Sequence, residues 1–394
     1  MSKIEELIAE LCPNGVYFTT LGEICDISSA GVDKKIVVGE APVKLLNYMD
    51  VYRNRYINQD TLTMEVTAPI SKLKNCSIEK GDIFITPTSE TIDDIGHAAV
   101  AVETIESGVY SYHLMRLRLK EFNITTAFYV SYVFASNALQ MQILKLATGL
   151  TRFGLSKGNW EKIRIPFPPL PVQQEIVRIL DNFTELTAEL TAELTARKKQ
   201  YEYYRNVLLT FGDDVPMIAL GETCSMKSGK SISSSQILNQ QDESAPYACF
   251  GGNGIRGYVK NASHHGEFPI IGRQGALCGN VNYASGDFYA TEHAVVVKSL
   301  GKYNQRFLFH LLTVMNLNQY KSQGAQPGLA VGNLENLLAP VPPLNEQQYI
   351  VSILDRFDAL CNDLTMGLPA EIEARRKQYE YFRDKLLTFK EASA

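Results

Sequence analysis

The stretch PFPPLPVQQEIVRILDNF, residues 166–183, decides the fold, because it returns as PVPPLNEQQYIVSILDRF at residues 340–357. Each copy opens on a proline collar and runs into a helical pattern. The copies also end alike, as RKKQYEYYRNVLLTF at 197–211 and RRKQYEYFRDKLLTF at 375–389. Pro168 recurs at Pro342 but Arg197 at Arg375, so the second copy holds four extra residues between its ends. An internal repeat of this length states how the chain is built before any chemistry is considered.

The first copy carries apolar or aromatic residues at Ile176, Leu180, Phe183, Leu190, Leu194, Tyr201, Tyr204 and Leu208. The second carries them at Ile350, Leu354, Phe357, Leu364, Leu368, Tyr379, Phe382 and Leu386. This four-and-three spacing is that of a coiled coil. About 40 helical residues at about 1.5 Å each make a rod of roughly 60 Å. Its centre is the four-residue repeat TELTAELTAELTA, residues 184–196. In the second copy Gly367, Leu368 and Pro369 interrupt the pattern, which predicts a kink or restart near 367–369 with Pro369 at a first helical position. Asn345 and Gln348 have the spacing of a capping box. The stripes offer no surface to their own globular blocks, so the expectation is that the two helices pack antiparallel about an approximate two-fold axis, with the blocks at opposite ends.

Outward from the helices, the repeat takes in nearly the whole chain. Residues 3–11 read as a short amphipathic helix stopped at Cys12 and Pro13. LGEIC at 21–25 has its counterpart in LGETC at 220–224. From each of these to the collar the texture is short β-type runs broken by Gly, Pro, Asn and Asp, then a helical stretch at 125–146 or 304–320, then a glycine-bearing loop. The expected order is a short helix at 1–12, a globular block at 13–169, a spacer helix at 170–212, a second block at 213–343 and a C-terminal helix at 344–394. The fold class is α+β. Two blocks sharing a frame but differing in their middles suggest one task performed twice on different targets.

A chain of 394 residues exceeds one ordinary core. The net charge is −5; residues 1–169 carry 17 basic and 19 acidic groups, and 213–344 carry 9 of each. Neither block is a polycation, so bulk electrostatics alone would not hold nucleic acid, and binding would need local patches or a basic partner. The seven cysteines are scattered and never in C-x-x-C spacing, which indicates neither a disulfide framework nor a zinc site. With no secretory signal pattern and no apolar run of spanning length, the expected location is the cytoplasm, with no membrane contact.

Chemistry-bearing motifs are few. Residues 252–257, GNGIRG, match G-x-G-x-x-G, but the strand-like YVKN that follows is not the helix a dinucleotide site needs. His113 and His293 each open an apolar run and read as core or edge residues. No catalytic constellation and no metal-ligand spacing is present. What remains is a set of repeated polar loops: 28–35 matches 227–231, and TRFGL at 151–155 matches AQPGL at 325–329, placing Arg152 and Gln326 at one equivalent position. Arg and Gln read guanine and adenine edges bidentately. Ordinary solvated loops have the same composition.

The doubled collar-and-helix blocks, the doubled Leu-Gly-Glu start and the TAEL repeat together resemble the specificity subunits of type I restriction–modification systems, over almost the full length. The resemblance implies two target-recognition domains, each reading one half of a split site in double-stranded DNA and separated by a pair of antiparallel helices. It implies two methyltransferase partners that hold S-adenosylmethionine, restriction and translocase subunits that join them, and no enzymatic activity or cofactor in this chain. The candidate DNA contacts are Lys34, Lys35, Arg152, Lys157, Lys227, Lys230, Ser231, Arg256, Arg273 and Gln326. A non-DNA assembly scaffold built on a coiled-coil rod is the alternative.

Overall fold

The computed structural model describes residues 3–275, 277–322, 327–363 and 365–392. The chain divides into two compact units, Met1–Glu189 with Glu373–Ala394, and Leu190–Ile372. The architecture is α+β, and each unit has the same internal plan.

In the first unit a five-stranded sheet runs in the order Cys25–Ser28, Met115–Leu119, Ile83–Ile85, Ala98–Ala101, Tyr56–Ile57. A four-stranded sheet runs Met64–Ala68, Ala41–Leu46, Ile105–Tyr110, Ser77–Ile78, and its middle pair is parallel. The second unit repeats this with Cys224–Ser228, Ala294–Ser299, Phe268–Gly272, Val281–Ala284 in one sheet. Its other sheet runs Gly254–Val259, Tyr247–Gly251, Asp287–Ala290, His264–His265, again with a parallel middle pair. The units differ most where the outer pair of the second sheet is joined. Residues 252–253 form a tight turn in the second unit, whereas residues 47–63 of the first hold a helix, Tyr48–Arg53, and an extra strand, Tyr56–Ile57, that joins the neighbouring sheet. GNGIRG is thus a hairpin, with Gly254 at φ +92° where a side chain would be strained.

The central helix is continuous over Leu170–Leu208. Its counterpart is broken into Leu344–Asn362 and Leu368–Leu387. The restart falls where Gly367 and Pro369 predict it, with Leu368 as first helical residue and Pro369 one place inside. The capping box does not form: Pro343 is the N-cap, without a side-chain cap, so Asn345 already lies in the first turn. The helical stretch expected at 125–146 is two helices, Ala127–Phe134 and Asn137–Leu146, the second capped by Ser136. At 304–320 a helix, Gln305–Val314, is followed by a 3₁₀ turn, Leu317–Tyr320.

The apolar stripes do have partners on their own globular blocks, contrary to the sequence reading. Ile176 and Leu180 are fully buried in a core shared with Tyr129, Tyr132 and Val133 of helix Ala127–Phe134. Ile350 and Leu354 are buried with Phe307, Leu308 and Leu311 of helix Gln305–Val314. Those two helices are so apolar that they cover the first turns of the collar helices before any helix pair can. Pairing comes further along: Phe183 stacks on Phe382 at 5.5 Å within the first unit, and Tyr201 and Tyr204 stack on Phe357 at 6.2 and 5.6 Å within the second. Tyr379 and Leu386 join the first core; Tyr201 and Leu208 join the second. Lower-numbered residues of one helix meet higher-numbered residues of the other, so the pairing is antiparallel in both units. Leu190 and Leu194 are half-buried, and Leu364 lies outside the described residues.

Candidate functional site

A pair of buried glutamines sets each globular block on its helix. Gln173 is fully buried; its side-chain carbonyl accepts from the Thr125 hydroxyl (2.9 Å) and the Thr126 amide (3.2 Å), and its amide donates to Pro168 (2.8 Å) and Ile124 (3.1 Å) carbonyls. Gln347 is also fully buried; it accepts from the Asn304 amide (2.8 Å) and donates to Pro342 (2.8 Å) and Lys302 (3.0 Å) carbonyls. Thr126 and Asn304 are the N-caps of the helices that pack on the collar helices. One side chain therefore ties the proline collar to the cap of its neighbour, and its own polar atoms are satisfied.

Two turns further on, the helices carry aspartates with different partners. Asp181 accepts from the hydroxyls of Tyr56 and Tyr132, the latter at 2.6 Å. Asp355 accepts from Arg306 Nε and His310 Nε2, both at 2.8 Å, and Arg306 also pairs with Asp358. Burial pushes the Asp355 carboxyl up, but the His310 and Arg306 hydrogen bonds and the Arg306 charge outweigh it and hold the group below its usual range.

The polar loops gather at one corner of each unit. In the first unit the chain leaves strand Cys25–Ser28 and crosses the turn at 111–113, where the Val32 amide donates to the Tyr110 carbonyl at 2.9 Å. In the second it leaves strand Cys224–Ser228 and the Lys230 amide donates to the Ala290 carbonyl at 3.0 Å. Both crossings need glycine. A β-carbon on Gly31 would lie 2.3 Å from the Tyr112 backbone, and one on Gly229 would lie 2.0 Å from the Ala290 carbonyl oxygen.

Lys34 and Arg152 both act on His113, whose pKa is lowered first by burial and then by these two cations. Arg152 donates to the Thr88 hydroxyl at 3.0 Å. Lys35 is exposed and paired with Asp33 at 2.6 Å. Lys157 belongs elsewhere: it pairs with Glu161, which sits against Gly22 at the opposite end of strand Cys25–Ser28 from Gly31. In the second unit Arg273 donates to the Ser228 hydroxyl at 3.0 Å, and its amide to the His293 carbonyl at 2.9 Å. Arg256 reaches Ser234 at 2.9 Å, and the Ser231 carbonyl accepts from Tyr289. Lys227 is exposed on strand Cys224–Ser228, one residue before Ser228. Gln326 lies outside the described residues. The structure thus brings together Lys34 and Arg152 in one unit, and Lys230, Arg256 and Arg273 in the other.

Sequence reasoning missed the collar glutamines and set aside His113 and His293. The available signals were the QQ pair in both collars and the shared hydroxyl-x-His pattern, SYH at 111–113 and TEH at 291–293. Among the described residues no group of His, Cys, Asp and Glu could hold a metal ion, and no helix is long and apolar enough to cross a membrane.

Comparison with known proteins matches this doubled architecture. The family model described as the type I restriction modification DNA specificity domain matches twice, at residues 13–197 and 212–374. The Escherichia coli type I restriction enzyme EcoprrI specificity subunit is 44% identical over 321 residues, covering 75% of this chain and 77% of that protein. The Escherichia coli EcoR124I/EcoR124II specificity subunit is 35% identical over 262 residues, covering 60% and 65%. The crystal structure of a type I restriction-modification system S subunit from M. genitalium shares the fold at a TM-score of 0.62 and 17% identity, over 95% of this chain and 96% of that one. The chain belongs to the type I restriction–modification DNA specificity family.

Proposed function

We propose that each unit reads one half of a split site in double-stranded DNA, and that the helices fix the number of unread base pairs between the halves. The observation that carries this is the repeat of one polar corner, pinned in the same way in both units but fitted with different side chains. A shared frame with changed readers is what two half-sites require. Phosphate contacts orient such a protein and base contacts specify the sequence, so a few cations near a small polar surface suffice when a partner supplies the rest of the grip.

Under this reading the chain is non-catalytic and holds no cofactor. Methyltransferase subunits docked on the helices supply S-adenosylmethionine and the methyl transfer, restriction and translocase subunits join them, and the assembly works in the cytoplasm. The test is to assemble the chain with its methyltransferase subunits, expose the complex to genomic DNA and map the methylated bases. The expected map is a single two-part sequence with a constant gap. Methylation without a two-part sequence, or methyl transfer by this chain alone, contradicts the proposal.

A further inference from the structure

The corners at 111–113 and 291–293 each open on a hydroxyl residue and close on a histidine, and differ in the residue between. Ser111 and Thr291 are both fully buried, and their hydroxyls accept from the amides of His113 (3.3 Å) and His293 (3.4 Å). The glycine crossing at Gly31 or Gly229 presses on the same backbone. The corner is therefore held rigidly, and only its middle side chain is free to vary. That residue is Tyr112 in the first unit, about half exposed at 51%, its ring tilted 38° against that of His113 with centroids 3.9 Å apart. In the second unit it is Glu292, whose side chain is 41% exposed and lies 3.4 Å from His293 Nε2.

A second observation singles out the corner of the second unit. Glu292 Oε2, His293 Nδ1 and Arg273 Nε are all shielded and have no hydrogen-bond partner within the protein. Polar atoms withdrawn from water are nearly always paired, so these three leave hydrogen-bonding capacity that no other group of the protein takes up, and with Oε2 shielded the accessible part of Glu292 is the rest of its side chain, Oε1 beside His293 included. Arg273 is anchored by Ser228 and by the His293 carbonyl, which fixes the three side chains relative to one another.

We infer that the middle residue of each corner is the specificity-determining position of its unit, with Tyr112 and Glu292 facing base edges in the major groove; this rests on the DNA-reading function proposed above. The chemistry of Glu292 limits what it accepts. An ionised carboxylate has no donor, and the major-groove donors on bases are the adenine N6 and cytosine N4 amino groups. Glu292 therefore requires adenine or cytosine at one position and rejects guanine and thymine, whose O6 and O4 would face it as acceptors. Tyr112 brings a hydroxyl that both donates and accepts, on an apolar ring, so the first unit makes a different demand at the equivalent place.

The experiment maps methylated sites for the complex carrying Glu292→Gln, Tyr112→Phe or the parent chain. Glutamine keeps the shape and adds a donor, so methylation at sites with guanine or thymine at one position of one half-site should rise about tenfold relative to the parent, the lower end of what a base-edge contact discriminates. The other half-site and the gap should not change. Tyr112→Phe should alter only the other half-site. Unchanged maps in both variants overturn the inference. So does a uniform drop over all sites in a variant whose circular dichroism matches the parent, which would make the side chain a structural or phosphate contact. If Glu292→Gln does not fold, Glu292→Asp decides: loss of discrimination at one base of one half-site supports the inference, and an unchanged map overturns it. A parent complex with no two-part site would instead remove the DNA-reading function itself, which separates the two failures.

Discussion

In the first unit Asp181 takes its hydrogen bonds from two phenols; in the second, the equivalent Asp355 takes them from an imidazole and a guanidinium. The helix positions are the same, and so are the buried glutamine and the apolar turn before them. One packing solution thus tolerates a neutral or an ionic lock. What the two units keep is the geometry that sets a block on its helix, and what they change is the chemistry around it. The same division holds at the corners, where a hydroxyl and a glycine crossing are kept and the side chain between hydroxyl and histidine is exchanged.

The comparison is tested most strongly at the kept positions. Leu180 and Leu354 are both fully buried at equivalent helix turns. Leu180→Ala and Leu354→Ala should each cost about 2–5 kcal/mol, and by similar amounts if the frames are equivalent. Urea unfolding of the two variants measures this. A cost under about 1 kcal/mol for one of them would break the equivalence.

The exchanged lock should give a smaller and unequal effect. Asp355→Asn leaves the half-buried Arg306 short of a charge partner and should cost about 2 kcal/mol, against about 1 kcal/mol for Asp181→Asn, which keeps an acceptor for its phenols. Because the Asp355 carboxyl is held below its ordinary range in the folded chain, its contribution is present above that range and is lost as the pH falls through the depressed value. Acid melts of parent and Asp355→Asn should therefore converge at low pH. Parallel melts would mean that the ion pair contributes nothing.

Smallest is the contact of the N-terminal helix Lys3–Leu11, which belongs to the first unit. Glu175, buried on the central helix, bonds to Arg178 at 2.6 Å and Lys3 at 2.9 Å, and these interactions, Arg178 first, hold its carboxyl down at about 2 from an ordinary value of 4.5. Its stabilisation is present above about 4.5 and fades as the pH falls towards about 2. Hydrogen exchange in residues 3–11 should quicken over that interval in the parent and show no such step in Glu175→Gln. Exchange with the same pH dependence in both chains would show that Glu175 does not anchor the helix.

The helices and the doubled plan were legible because a long repeat survives translation into periodicity, and because Gly367 and Pro369 can only mark a break. The collar glutamines were not: on a helix a Gln reads as a surface residue, and its burial depends on carbonyls of the collar and on a cap at Thr126 or Asn304 distant in sequence. The stripe was misjudged for a related reason. Periodicity shows that Ile176 and Leu180 face something apolar, but not whether it is a second long helix or the short helix Ala127–Phe134. The corners escaped notice because Ser-Tyr-His and Thr-Glu-His share little, and the Gly31 and Gly229 crossings that equate them are long-range backbone contacts.

The central claim is that two independent readers are spaced by helix length, and deletion of residues 191–194 tests it most directly. This removes one Thr-Ala-Glu-Leu unit of the repeat, which shortens the central helix by about 6 Å. Base pairs stack at about 3.4 Å, so the change is under two steps along DNA. The methylated-site map of the deletion complex, set beside the parent map, should keep both half-sequences and show a gap shorter by about one base pair. An unchanged gap would show that the helices are not the ruler, and an altered half-sequence would show that the two units do not read independently.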